Sequence, residues 1–161
     1  MEPKIISLPP KILVGQKLSM SLANNKTFEL WRGFMPRRNE IQHKLNNELF
    51  SMQVYDPNFD FSFKNRDAIF DKWAAVEVED LTHIPNEMAS FQLTGGLYAV
   101  FDYKGLPAEG ASFFAFIFGT WLPQSIYELD QRPHFELLGE KYKNNHPESE
   151  EEIWIPIKPK S

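Results

Sequence analysis

The sequence predicts a single α+β domain in which two strand–helix–strand–strand units, about 4–80 and 88–158, share one antiparallel sheet across a pseudo-twofold axis. The helices are expected on one face of that sheet and a ligand cleft on the other. Three observations lead there. His134-Phe135-Glu136-Leu137-Leu138 and Glu151-Glu152-Ile153-Trp154-Ile155-Pro156-Ile157 alternate with the period of strands. Two aromatic-rich helical stretches close on the related triplets Phe34-Met35-Pro36 and Trp121-Leu122-Pro123, 87 residues apart. The strands that follow correspond as well. Met52-Gln53-Val54-Tyr55 matches Phe135-Glu136-Leu137-Leu138 at an offset of 83, and Trp73-Ala74-Ala75-Val76 matches Glu152-Ile153-Trp154-Ile155 at 79. Loops of unequal length account for the drift.

Each element has its own warrant. Lys4 to Leu22 reads as strand material broken at Pro9-Pro10. Asn24-Asn25-Lys26-Thr27 is a turn rich in helix-capping residues. In the helix that follows, Phe28, Trp31 and Met35 make one stripe, and Leu30 and Phe34 another. Pro36 bends or ends it, with further turns toward Ile41 and Leu45. Phe50 to Asp56 is a strand. Asn58 to Asp67 is a loop whose Phe59, Phe61 and Phe63 can fold back onto the body. Lys72 to Glu79 is the next strand, and residues 81–88 connect the units. Ala89 to Tyr103 is strand material punctuated by Gly95-Gly96, followed by a turn at Gly105-Leu106-Pro107. Ser112 caps a helix over Phe113 to Trp121, and Pro123 stops it. That helix is apolar nearly all round, so it needs cover on more than one side.

Composition narrows the function classes. A hydrophobic content of 42% in 161 residues supports a sizeable core, and 14 Phe with 4 Trp is rich in aromatics. Aromatic residues beyond what a core consumes line ligand pockets; the plainer reading is Phe as core filler. The net charge of −5, with basic residues scattered except for Arg37-Arg38, argues against a nucleic-acid surface. With no cysteine there is no disulfide, thiolate nucleophile or zinc–thiolate site. His43, His83, His134 and His146 lie in separate segments without metal-ligand spacing and read as surface or hydrogen-bonded residues. No cofactor, phosphate loop or Ser–His–acid order is expected, and Gly95-Gly96 reads as a turn or bulge. No apolar signal run or membrane-length stretch occurs, so a cytoplasmic protein without membrane contact is expected.

Strand alternation sorts the remaining residues. Met52, Val54, Ala74, Val76, Phe135, Leu137, Ile153 and Ile155 are expected beneath the helices. Gln53, Tyr55, Trp73, Glu136, Leu138, Glu152 and Trp154 are expected on the opposite face. That second set mixes carboxylates with aromatic rings. Each ring face attracts a cation by roughly 0.5–2 kcal/mol, and a carboxylate supplies the pairing charge. On an open sheet face Glu136 and Glu152 would simply be solvated. As an acid–base pair they would need one raised pKa. Glu148-Ser149-Glu150-Glu151-Glu152 reads as a solvated acidic turn with only its last member entering the strand.

Gly96-Leu97-Tyr98-Ala99-Val100-Phe101, Trp121-Leu122-Pro123, Phe135-Glu136 and Ile153-Trp154-Ile155-Pro156-Ile157, in this order, resemble the gyrase-inhibitor-like (GyrI-like) domain. The same domain is the effector-binding part of AraC-type and MerR-type transcription activators in bacteria. The resemblance covers essentially the whole chain. It implies that Glu136, in the penultimate strand, sits in an aromatic-lined cleft and pairs with lipophilic cations, with Glu152 assisting. The family's usual aromatic two residues after that glutamate is Leu138 here, while the first unit keeps Tyr55 at the equivalent place. The activators carry a helix-turn-helix region ahead of this domain, and a first strand near Lys4 leads one to expect a stand-alone form.

The expected function is therefore a multidrug-type binding module for an amphipathic, cationic small molecule, with no direct nucleic-acid binding. Its ligand-binding residues would be Glu136, Trp154, Tyr55, Trp31, Phe34, Phe118, Trp121 and Glu152, with no catalytic or metal-binding residue. Two alternatives come with the resemblance. One is a hydrolase that opens electrophilic small molecules with a cleft glutamate. The other is a module inhibiting a protein partner such as gyrase.

Overall fold

The computed structural model describes residues 2–161. The first unit holds β1 (Lys4–Leu8), β2 (Lys11–Met20), α1 (Thr27–Phe34), β3 (Leu49–Val54) and β4 (Phe70–Val78). The second holds β5 (Ala89–Leu93), β6 (Gly96–Lys104), α2 (Gly110–Phe116), β7 (Tyr127–Leu129), β8 (His134–Leu138) and β9 (Glu150–Pro159). Every strand pairing is antiparallel, in the order β1-β6-β9-β8-β3-β4-β2-β5, with short β7 on the far end of β9.

Local chemistry sets the helix ends. Asn25 Oδ1 accepts the Thr27 amide at 2.9 Å, so the turn before α1 is closed by an asparagine, although no side chain caps Lys26. Pro36 converts the chain to a 3-10 helix, Met35–Glu40, where its missing N–H falls in the first turn. α2 starts earlier than the sequence suggests, after a 3-10 turn at Pro107–Glu109. Ser112 lies inside it and donates to the Glu109 carbonyl at 3.0 Å instead of capping. Beyond Phe116 the helix widens into a π-helix, Ile117–Trp121, and ends over Leu122–Gln124, with Pro123 in that last turn.

The strand order forces a curl. β1 and β2 are consecutive, separated only by Pro9-Pro10, yet lie near opposite ends of the order. β5 and β6 do the same across residues 94–95. The two edges must therefore approach one another. At the crossing Gly95 adopts φ +86°, and a Cβ there would stand 2.4 Å from the Leu8 carbonyl oxygen. Arg132 braces the site, donating to the carbonyls of Gly95, Leu97 and Ile157. Its guanidinium lies 4.8 Å from the centre of the Tyr98 ring.

Both faces of the sheet are thus covered, one by its own curl and one by helices. The concave side buries Leu8, Leu13, Phe50, Met52, Trp73, Leu93, Tyr98, Phe135 and Trp154. On the other side α1 covers Val14, Ala74 and Val76, and α2 with its π-turn covers Ala99, Phe101, Ile153 and Ile155.

This corrects the expected sorting of side chains. Ala74, Val76, Ile153 and Ile155 do face the helices. Met52, Val54, Phe135 and Leu137 point instead into the curl, with Trp73 and Trp154. Directly paired residues share a face, and Phe135 pairs with Trp154 while Glu136 pairs with Ile153 and Ser51. Glu136, Gln53 and Tyr55 therefore lie on the helix-bearing face.

The pseudo-twofold axis can be read from the register. Met52 pairs with Phe135, and these are the two residues made equivalent by the 83-residue offset. The axis passes through this pair, and Gln53 becomes the counterpart of Glu136. Met52 also pairs with Trp73, and Phe135 with Trp154. Trp73 and Trp154 are therefore equivalent, an offset of 81 in place of the expected 79.

Candidate functional site

The middle of the helix-bearing face, over β3 and β8, is covered by neither core of the two helices. There Ser51 and Gln53 of β3, and Tyr55 just beyond its end, meet His134 and Glu136 of β8. Gln53 donates from Nε2 to Glu136 Oε2 at 2.9 Å, so the carboxylate is oriented by the residue that replaces it in the other unit. Gln53, Ser51 and His134 are buried, and Glu136 is half-buried.

Aromatic rings pack around this polar cluster. Tyr55 packs edge-on against His134 at 4.9 Å between centroids, and against Phe59 and Phe70 at 4.5 and 5.3 Å. From the opposite side the π-turn brings in Phe118, 6.0 Å from His134. π-turns in helices recur at functional positions because they re-aim a side chain. The connector between β3 and β4 completes this packing. Its Phe61 stacks on His134 at 5.1 Å and 10° and on Phe118 at 5.5 Å and 21°.

The electrostatics follow from this burial. Desolvation lowers the His134 pKa from 6.5 to about 3, so its ring is a neutral stacking surface. Burial, aided by the charge on Glu136, pushes the Tyr55 hydroxyl above its ordinary range. Burial also raises Glu151 from 4.5 to about 7; the nearby Glu136 charge adds to the shift and Lys72 opposes it. A carboxylate, a neutral imidazole and a ring of aromatics thus meet on this face, with Glu151 and Lys72 close enough to share its electrostatics.

The predicted site residues divide accordingly. Glu136, Tyr55 and Phe118 come together. Trp154 lies on the other face, stacked on Phe135 at 5.1 Å and 16°, with its indole N–H donated to Glu152 at 3.1 Å. Phe34 is fully buried beneath α1, with Trp31 edge-on against it at 5.9 Å. Trp121 packs on Phe101 at 5.3 Å in the second core. Glu152 lines a groove of about 780 Å³ at the end of β8 and β9, with Glu48, Asp102, Glu140, Glu150 and Glu151, and no aromatic side chain lines it.

Three features escaped the sequence reading, whereas the folding back of Phe59, Phe61 and Phe63 was expected. Gln53 is signalled by the 83-residue offset that aligns it with Glu136. Glu151, expected in a solvated turn, is inside β9 and half-buried. His134, expected at the surface or in a hydrogen bond, is a buried stacking ring; no local signal separates it from the other histidines.

Fold and cleft together define a gyrase-inhibitor-like effector-binding domain, a module that takes up small molecules. The sequence matches the family described as integron-associated effector binding protein (Cass2) over residues 4–157, and the chain belongs to that family. It is 27% identical over 159 residues to the transcriptional regulator BrlR of Pseudomonas aeruginosa, covering 98% of this chain and 56% of the regulator. The chain thus spans about half the length of that relative. Among solved structures, SAV2435 bound to tetraphenylphosphonium superposes with a TM-score of 0.68 at 20% identity, covering 98% of this chain and 94% of that one. The Vibrio cholerae integron cassette protein gives 0.64 at 14% identity, covering 98% and 97%. The C-terminal domain of EcmrR gives 0.67 at 13% identity, covering 99% and 98%. At these identities the structural likeness establishes the fold. No helix among the described residues is long and apolar enough to cross a membrane.

Proposed function

We propose that the cleft over β3 and β8 binds a lipophilic organic cation, with Glu136 as its charge partner and Tyr55, Phe118 and His134 as its walls. The observation that carries this reading is the Glu136 carboxylate, oriented by Gln53 and set among aromatic rings. Its nearest hydrogen-bond donor is a neutral amide, which leaves its charge for a ligand to neutralise. The neutral His134 adds no repulsion. SAV2435, a relative of the same fold, holds tetraphenylphosphonium.

The test is calorimetric titration with tetraphenylphosphonium, on wild type and Glu136→Gln. Loss of a charge partner in a low-dielectric site weakens binding by about tenfold or more. A wild type that binds the cation, with Glu136→Gln binding equally well, would remove Glu136 from the role.

A second reading rests on Glu151. A carboxyl group with a pKa of about 7, close enough to feel the charge on Glu136, can give or take a proton near neutral pH. Hydrolysis of an epoxide-type electrophile, lost in both Glu136→Gln and Glu151→Gln, would favour that reading. Binding without turnover would leave the module a receptor.

A further inference from the structure

The connector from Asp56 to Ile69 is the least conventional part of the cleft. Its three phenylalanines point inward and are half-buried, while Asn58, Asp60, Ser62 and Lys64 between them are exposed. Phe59 and Phe63 lie 6.1 Å from each other, and each packs against Phe61, at 5.1 and 6.1 Å. Phe63 also reaches Phe118 at 5.7 Å. The polar bonds of the segment stay inside it. Asp56 accepts the amides of Asn58 and Phe59, and Asp60 accepts those of Ser62 and Phe63. Among the described residues, no hydrogen bond joins residues 57–64 to the body of the protein. Ties to the body come only at its ends, where Gln131 donates to the Tyr55 carbonyl and the Ala23 amide to the Arg66 carbonyl.

Residues 57–64 are therefore held over this face by ring contacts, with hydrogen bonds to the body only at the segment's ends, including those of Arg66 to Ala23 and Leu22. Ring contacts are what an aromatic ligand supplies equally well. The closed position also carries strain, because Phe63 sits at φ +60°, a left-handed conformation that a bulky residue rarely adopts. Phe61 fills the space between His134, Phe118 and Tyr55, all within 5.5 Å between ring centroids.

We propose that the Asp56–Ile69 connector is a self-occupying lid. Phe61 holds the place of a ligand's aromatic ring on His134 and Phe118, and an aromatic cation enters by displacing it. The inference rests on the cation-binding reading above and narrows it. Charge alone is insufficient, and the ligand must carry a ring that replaces Phe61. The lid lowers apparent affinity by the fraction of molecules in which it is open.

The experiment compares tetraphenylphosphonium with tetrabutylphosphonium, which carries the same charge without rings, on wild type, Phe61→Ala and Glu136→Gln. Phe61→Ala is expected to bind tetraphenylphosphonium about tenfold tighter than wild type. Tetrabutylphosphonium is expected to bind at least about tenfold more weakly than tetraphenylphosphonium. An affinity that is unchanged or weakened in Phe61→Ala, while Glu136→Gln still loses binding, overturns the lid and leaves the cation site standing. Absence of binding to wild type and Phe61→Ala alike overturns both readings, whereas binding only to Phe61→Ala supports both. A second measurement needs no variant. Displacement exposes the connector, so tryptic cleavage after Lys64 should become several-fold faster with tetraphenylphosphonium. Slower cleavage would show the connector closing over the ligand and would overturn displacement.

Discussion

Stability between pH 5 and 6 should be nearly flat in the wild type because two desolvated groups, one buried and one half-buried, oppose one another, and removing either exposes the other. His134 is held neutral in the fold, with its pKa lowered from 6.5 to about 3. The unfolded chain binds that proton more readily, so this group makes the fold less stable as pH falls below about 6.5. Glu151 works in the opposite sense. Its pKa is raised from 4.5 to about 7, so the fold holds its proton better than the unfolded chain does. Its contribution is present at low pH and is lost as pH rises through about 7. At 2.303RT, about 1.4 kcal/mol per pH unit for one proton, each slope approaches that limit where the windows overlap. Partial solvent contact at Glu151 reduces its share, so about 1 kcal/mol per pH unit is the working figure. Glu151→Gln should therefore gain stability relative to wild type by about 1 kcal/mol on going from pH 5 to pH 6. His134→Phe, which keeps a stacking ring, should lose about as much over the same interval. Urea unfolding at several pH values measures both, and comparison with wild type cancels the common contribution of the other carboxylates. A Glu151→Gln curve parallel to wild type would refute the placement of Glu151 beside Glu136 in a desolvated setting.

Two further outcomes test the fold that positions the cleft. A Cβ on Gly15 would lie 2.0 Å from the Ala74 carbonyl oxygen and 2.6 Å from the Ala75 Cα, both in the adjacent strand. Gly15→Ala should therefore cost about 3 kcal/mol or more and lower Tm by about ten degrees on thermal unfolding. Trp154→Leu should cost about 2–3 kcal/mol in urea unfolding while leaving tetraphenylphosphonium affinity unchanged, since the indole packs inside the curl. A large affinity loss in the folded Trp154→Leu protein would return Trp154 to the cleft wall.

Much of this protein is legible in its sequence because the governing signals are local. Proline closes the helices at Pro36 and Pro123, alternation marks β8 and β9, and the corresponding strands expose the duplication. Those features determine the α+β class and the two related units. The orientation of β3 and β8 is a different kind of fact. Alternation divides a strand into two sets of side chains without saying which set faces up. A sheet with one wet face resolves that choice through hydrophobicity. Here the curl produced by exchanging β1 and β5 between units buries the second face as well, so Met52 and Phe135 had two apolar destinations. Only the register, Phe135 against Trp154 and Glu136 against Ile153, decides between them. The same holds for His134 and Phe61, whose roles come from neighbours 73 residues apart in the chain. Periodicity and punctuation along the chain determined the elements and their pairing in sequence. Which face became the cleft, and what lies in it, was decided by pairings between distant strands, because burial on both faces leaves the hydrophobic pattern degenerate.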